Sequence, residues 1–135
     1  MYFCNRYKKI TNILLVDQAK DEATLFREAC ERFGFELRVY DNSNAALENF
    51  RAGVYDIAIV DILMPVMNGL ELSQKLMDID KLIAILYLTS TNLDTDEINK
   101  ENPNLQWVVT RPVHVGKFIE EINSVLALKR NMPLL

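Results

Sequence analysis

The chain has 135 residues, of which 50% are hydrophobic and 25% are charged, a composition typical of one globular domain with an ordinary core. Its formal net charge of -4 argues against the basic surface that direct nucleic-acid binding requires. No segment approaches the roughly 20 apolar residues of a membrane-spanning helix, and residues 1–10 are not followed by the hydrophobic core of a secretory signal. Cys4 and Cys30 lack metal-ligand spacing, which indicates free thiols. We therefore expect a soluble, cytoplasmic protein.

Hydrophobic periodicity predicts strands and helices that alternate along the chain. In chain order, the predicted elements are a strand at 13–16, a helix over 25–33, a strand at 35–40, a helix over 45–50, a strand at 57–60, a helix over 70–77, a strand at 82–88, a short and poorly anchored helix between 93 and 103, a strand at 107–110 and a helix over 118–126. Such alternation is typical of a doubly wound α/β fold, because right-handed crossovers place helices on both faces of a parallel sheet.

Four polar residues stand where predicted strands end: Asp17, Asp61, Thr89 and Arg111. The carboxyl ends of parallel strands share one edge, where ligands of such sheets bind, so we expect these residues to face one crevice. Two carboxylates suit a hard divalent cation such as Mg2+, while a hydroxyl and a guanidinium suit phosphate oxygens. Asp61 would be the nucleophile, because a carboxylate can form an acyl phosphate. Taken alone, Asp61 is better explained as a residue that caps its loop or the start of a helix.

From Ile10 to Leu128 the sequence resembles the receiver domain of two-component response regulators. The motifs that carry the resemblance are Ile13-Leu14-Leu15-Val16-Asp17, Tyr55-Asp56, Asp61-Ile62-Leu63-Met64-Pro65, Met67-Asn68-Gly69, Leu88-Thr89-Ser90 and Thr110-Arg111-Pro112. The resemblance implies a flavodoxin-like, five-stranded parallel sheet in the order 2-1-3-4-5 with about five helices. It also implies an N-terminal extension at 1–9, a receiver domain at 10–128 and a tail at 129–135 that is too short to be an output domain.

By the same resemblance, Asp61 accepts a phosphoryl group from a histidine kinase or phosphotransfer protein, and the chain signals to a downstream protein target. The implied Mg2+ ligands are Asp17, Asp61 and the backbone carbonyl of Leu63, with Gln18 as a weaker candidate. The residues implied to bind the phosphoryl group are Thr89, Ser90 and Arg111. We therefore expect a stand-alone receiver, monomeric or weakly dimeric. It would be no enzyme beyond self-catalysed phosphoryl transfer and autodephosphorylation.

Three positions depart from the usual residues of the family. Gln18 stands where a second acidic residue normally binds the metal, so Mg2+ affinity should fall by roughly tenfold to hundredfold. Arg111 replaces the usual lysine, keeps its charge and could pair with Asp61 when no metal is bound. Val108 replaces an aromatic residue that couples to the switch threonine. Strand alternation should place Trp107 on the opposite face from Val108, in the core or against a helix.

These departures leave a second interpretation open, a pseudo-receiver that acts as a phosphorylation-independent interaction module with a structural Asp61–Arg111 pair. A flavodoxin-like enzyme or flavin carrier is a remote alternative, because the loop over 17–20 lacks a hydroxyl-rich or glycine-rich phosphate cradle. His114, the sole histidine, is interpreted as a solvated loop residue. Asp56 should lie at the opposite edge of the sheet from Asp61.

Overall fold

The computed structural model of the protein describes residues 10–90 and 107–131. Its strands are β1 (Asn12–Val16), β2 (Glu36–Tyr40), β3 (Ile57–Asp61), β4 (Ala84–Thr89) and β5 (Val108–Thr110). The helices within these residues are α1 (Lys20–Arg32), α2 (Ser43–Glu48), α3 (Gly69–Ile79) and α4 (Val115–Asn131). The short helix predicted between 93 and 103 and the extension predicted at 1–9 lie outside the described residues.

The strands form one parallel sheet in the order β2-β1-β3-β4-β5, which confirms the predicted flavodoxin-like α/β fold. β1, β3 and β4 occupy the interior of the sheet and are buried almost throughout, because helices cover both faces. β2 lies at an edge and is partly exposed, in agreement with the alternation of apolar and polar residues along it.

The core has two halves, one on each face of the sheet. On one face α1 packs against α4, and the rings of Phe26 and Phe118 stack with their centroids 3.7 Å apart and an interplanar angle of 5°. On the other face α2 and α3 contribute Ala46, Leu72 and Leu76 to the second cluster. Each helix therefore buries one apolar face against the sheet, as its periodicity predicts.

Trp107 and Val108, the residue before β5 and its first residue, belong to different halves of the core. Trp107, just before the strand, packs against the cluster that contains α1 and α4, while Val108 packs against the cluster that contains α2 and α3. The prediction that Trp107 and Val108 lie on opposite faces is therefore confirmed.

The helices begin and end at places that the apolar pattern only partly predicted. α1 begins at Lys20, before the predicted start at 25, and α4 extends to Asn131, beyond the predicted end at 126. Asn42 caps α2 by accepting a hydrogen bond of 2.7 Å from the N–H of Ala45. None of the helices in the described part of the chain is long and apolar enough to cross a membrane.

Candidate functional site

The predicted polar residues stand at the carboxyl edge of the sheet. Asp17 follows β1, Asp61 ends β3, Thr89 ends β4 and Arg111 follows β5. The parallel register of β1 and β3 pairs Val16 with Val60. Asp17 and Asp61, one residue further along each strand, are therefore neighbours across the sheet.

Asp17 and Asp61 are held by the same local device. Oδ1 of Asp17 accepts a hydrogen bond from the N–H of Ala19, and Oδ1 of Asp61 accepts one from the N–H of Leu63, both at 3.0 Å. Each aspartate thus binds the backbone two residues ahead, which fixes its side chain at the start of the loop. Both residues are buried, with 1% of Asp17 and 5% of Asp61 exposed.

Arg111 joins the two aspartates. Its Nη2 lies 3.3 Å from Oδ1 of Asp17 and 3.3 Å from Oδ2 of Asp61. The guanidinium side chain is 21% exposed, so its attraction to the two carboxylates is only partly screened by water. The pairing of Asp61 with Arg111 that the sequence suggested is present in the structure.

Glu22, in the first turn of α1, is a member of this cluster that the sequence reasoning missed. Its Oε1 and Oε2 accept hydrogen bonds from Nε of Arg111 at 2.9 and 3.1 Å, and Nη2 of Arg111 lies 2.7 Å from Oε1. An available signal was that Glu22 follows Asp17 by five residues, at the start of the helix after β1. A polar first turn alone does not show which way its side chains face.

The pKa values follow from burial and from these neighbours. Burial, and then the hydrogen bond with Glu22, raises the pKa of Asp17 to about 7. Burial also raises the pKa of Asp61, against the opposing charge of Arg111. Burial alone would raise the pKa of Glu22, but its hydrogen bonds with Asp17 and Arg111 lower it. Of the three acids, Glu22 is therefore the one whose ionised form is most favoured beside Arg111.

The other predicted site residues do not join the cluster in the same way. Thr89 is fully buried, and its hydroxyl donates to the carbonyl of Ser90 at 3.5 Å. Gln18 is exposed. Leu63 contacts Asp61 through its N–H, and its side chain is about half exposed. The structure thus brings Asp17, Asp61 and Arg111 together and leaves Thr89, Ser90 and Gln18 beside them.

The loop between β3 and α3 keeps Asp61 in place through close backbone packing. The N–H of Gly69 donates to the carbonyl of Ile62 at 2.9 Å, and a Cβ on Gly69 would overlap the carbonyl oxygen of Asp61. Ser43, at the start of α2, donates its buried hydroxyl to the carbonyl of Met67 at 2.8 Å. Glycine at this position therefore lets α3 begin directly against the end of β3.

The comparisons with known proteins give the same assignment. Residues 13–123 match the model of the response regulator receiver domain. The chain belongs to this family. Receiver domains are the modules of two-component signalling that interact with histidine kinases and downstream targets, and they are signalling proteins rather than classical enzymes.

Two curated relatives match nearly their whole length to this receiver. It is 26% identical over 114 residues to the response regulator receiver protein CpdR of Brucella abortus, covering 84% of this chain and 95% of the relative. It is 29% identical over 117 residues to the polar-differentiation response regulator DivK of Brucella anthropi, covering 85% and 95%.

Solved structures share the fold of this receiver. The non-phosphorylated HemR receiver domain from Leptospira biflexa superposes with a TM-score of 0.80 at 19% identity, covering 93% of this chain and 99% of that one. A CheY-like receiver domain from Methanospirillum hungatei gives a TM-score of 0.77 at 21% identity, covering 90% and 98%.

Receiver domains typically bind Mg2+ at the phosphorylation site, and the residues present in this receiver do not fit that ion as arranged. Nη2 of Arg111 contacts the carboxylates of both Asp17 and Asp61, the two anionic ligands that the resemblance implied. Gln18 adds no charge. Within residues 10–90 and 107–131, no three acidic, histidine or cysteine side chains are placed to hold a metal ion. The cluster is thus arranged around a guanidinium.

Proposed function

We propose that this receiver accepts a phosphoryl group on Asp61 and passes the signal on by protein–protein interaction. The observation that carries the proposal is the position of the Asp61 carboxylate, at the end of β3 with Oδ2 lying 3.3 Å from Nη2 of Arg111. A carboxylate beside a cation is suited to form an acyl phosphate, because the cation stabilises the charge on the transferring group.

The two oxygens of Asp61 have different roles in this reaction. Oδ1 accepts the N–H of Leu63 and fixes the carboxylate, which leaves Oδ2 as the nucleophile. Oδ2 attacks phosphorus, a new O–P bond forms, and the P–N bond of a phosphohistidine donor breaks, so that the imidazole leaves and takes up a proton. Arg111 contacts the oxygens of the transferred group through Nη2, the nitrogen that faces Asp61.

The donor is a histidine kinase or phosphotransfer protein, and the target is a protein that recognises the surface around the phosphorylated site. Membership of the receiver family supports both assignments. In its proposed signalling state the receiver is a monomer or a weak homodimer. Thr89 and Ser90, next to Arg111 at the end of β4, are the hydroxyl groups proposed to bind the phosphoryl oxygens after transfer.

Intact mass spectrometry tests the proposal. The purified protein is incubated with acetyl phosphate, with a well-behaved receiver treated in parallel, and we expect it to gain the mass of one phosphoryl group. Asp61→Asn should abolish the gain. Asp21→Asn, which changes an exposed carboxylate of α1, is the matched control and should leave it intact. A wild-type protein that gains no phosphoryl group while the reference receiver does would overturn the assignment.

The geometry also favours a second candidate, a receiver that binds partners without phosphorylation. Arg111 already pairs with Asp17, Glu22 and Asp61, so the cluster is partly neutralised before any phosphoryl group arrives. This candidate requires Asp61→Asn to bind the same partner as wild type and with the same affinity. A partner that prefers the acetyl-phosphate-treated protein would exclude it.

A further inference from the structure

A single guanidinium nitrogen contacts three acidic side chains at the carboxyl edge. Nη2 of Arg111 lies 2.7 Å from Glu22, 3.3 Å from Asp17 and 3.3 Å from Asp61. Nε of the same arginine donates to both oxygens of Glu22. Arg111 therefore makes its shortest and most numerous contacts with Glu22, which is not among the residues that carry the resemblance to the receiver family.

The shape of arginine explains how one side chain serves three acids. The guanidinium is planar and offers N–H donors in a fixed fork, so Nε and Nη2 can bind one carboxylate while Nη2 still faces others. A lysine has one compact nitrogen and could not grip Glu22 in this way. Arg111, which replaces the usual lysine, and Glu22 of α1 therefore form one structural unit.

The charges show why the unit matters for the site. Gln18 lacks the carboxylate that would help to hold a divalent cation, while Glu22 places a carboxylate against Arg111. Both oxygens of that carboxylate accept hydrogen bonds from Nε of Arg111. Its charge is directed at Arg111, on a side chain that is 21% exposed, as is the side chain of Arg111.

We propose that Glu22 is a positioning residue that holds Arg111 across Asp17 and Asp61, so that the guanidinium serves as the resident cation of the cluster in place of a divalent metal. For its part in phosphoryl acceptance, this inference rests on the proposed function. The placement of Arg111 by Glu22 does not rest on the proposed function, and it can be measured in the unmodified protein. Phosphoryl acceptance by this receiver therefore does not require a divalent metal.

The first test measures Mg2+ binding by isothermal titration calorimetry. Wild type should bind Mg2+ weakly. Arg111→Met, which removes the cation from three carboxylates, should bind it more tightly by on the order of tenfold or more. Arg27→Met changes another arginine, exposed on α1, and should behave as wild type. Equal Mg2+ affinities for wild type and Arg111→Met would overturn the claim that Arg111 is the resident cation.

The second test follows the Nε–H signal of Arg111 by NMR in the metal-free protein. Its hydrogen bonds to Glu22 should give wild type a shifted signal that exchanges slowly with water. Glu22→Ala should move the signal to the position of exposed arginines, whereas Glu28→Ala, at an exposed site on the same helix, should not. An unchanged signal in Glu22→Ala would show that Glu22 does not position Arg111.

The third test repeats the acetyl phosphate reaction in EDTA. We expect wild type to gain the phosphoryl group in EDTA at a rate within a few fold of that with Mg2+, and Glu22→Ala to react roughly tenfold more slowly in EDTA. A reaction that occurs only with Mg2+ would overturn this inference and leave the proposed function standing. No reaction under either condition would instead overturn the proposed function, while the first two tests still decide the role of Glu22.

Discussion

At the amino edge of the sheet, where the strands begin, aspartate oxygens bind the backbone. Oδ1 of Asp80 accepts from the N–H of Leu82 and Oδ2 from the N–H of Gly53, both at 3.0 Å. At the carboxyl edge, Asp17 and Asp61 each give only Oδ1 to a backbone N–H. The comparison separates a carboxylate whose two oxygens hold the fold from carboxylates that keep an oxygen for chemistry.

The remaining oxygens at the carboxyl edge show the difference most clearly. Oδ2 of Asp61 faces Arg111. Oδ2 of Asp17 is buried, and no N–H or hydroxyl group of the described residues donates to it. Apart from the proton that Asp17 shares with Glu22, this oxygen therefore has no donor; a buried acceptor of this kind costs stability, so its retention points to a role other than folding. Asp56, at the amino edge as predicted, instead accepts a hydrogen bond from the N–H of Asn12.

The two edges also differ in how they form tight turns. At the amino edge, left-handed backbone conformations fall on glycines, Gly34 with φ of 77° and Gly53 with φ of 81°. At the carboxyl edge, Val66 adopts a φ of 70°, and it is the one non-glycine residue of the described part of the chain with positive φ. A β-branched residue is strained in this region, so the site edge carries strain that the other edge avoids.

The largest effect should come from Gly69→Ala, which drives a methyl group into the backbone beneath Asp61. The new Cβ would overlap the carbonyl oxygen of Asp61 and approach its carbonyl carbon to 2.9 Å, so α3 must move away from β3. We expect urea unfolding to show a loss of about 3 kcal/mol. Gly116→Ala is the control, because its Cβ would meet nothing within 4 Å. Equal losses in both variants would contradict the packing argument.

A smaller loss should follow Asp80→Ala at the amino edge. Two backbone N–H groups lose their acceptor, which should lower the free energy of unfolding by about 2 kcal/mol. Asp78→Ala removes an exposed carboxylate from the last turn of α3, just before Asp80, and should change stability by less than about 0.5 kcal/mol. If the two variants unfold at the same urea concentration, the Asp80 carboxylate does not hold the edge together.

Val66→Gly should stabilise the protein. Its side chain is 93% exposed and buries almost nothing, while glycine adopts positive φ without strain. After the larger chain entropy of unfolded glycine is subtracted, a gain of about 1 kcal/mol is expected in thermal or urea unfolding. A loss of stability would mean that the Val66 side chain makes contacts that outweigh the strain of its backbone.

The smallest change in stability should come from Asp61→Asn. A folded-state pKa that is raised above the unfolded value means that the ionised carboxylate destabilises the fold at neutral pH. Asparagine retains an oxygen for the N–H of Leu63. It loses the contact of Oδ2 with Arg111, but it also removes a buried charge, so the free energy of unfolding at roughly neutral pH, where exposed carboxylates are ionised, should stay within about 0.5 kcal/mol of wild type. Asp80→Asn, which turns an amide NH2 toward a backbone N–H, should cost about 1 kcal/mol. A larger loss of stability in Asp61→Asn than in Asp80→Asn would contradict the distinction between the two edges.

The sequence predicted the sheet well because its strands are short apolar runs, and it placed Asp17, Asp61 and Arg111 at one edge through the geometry of parallel strands. It missed Glu22 because the first turn of α1 is polar and shows no apolar periodicity. It also implied a metal between two aspartates. Arg111 contacts both instead, since the reach of a long side chain across the edge depends on side-chain conformations that no local pattern encodes.

The stacked rings of Phe26 and Phe118 tie the cation of the site to the apolar interior. Phe26 lies one helical turn after Glu22 on α1, and Phe118 lies on α4, the helix that follows Arg111. Glu22 lies on α1 and Arg111 lies in the segment that leads from β5 into α4, so this aromatic contact joins the two helices next to the ion pair. A change in the volume of either ring would alter the spacing of the two helices, and therefore the electrostatic potential at Asp61.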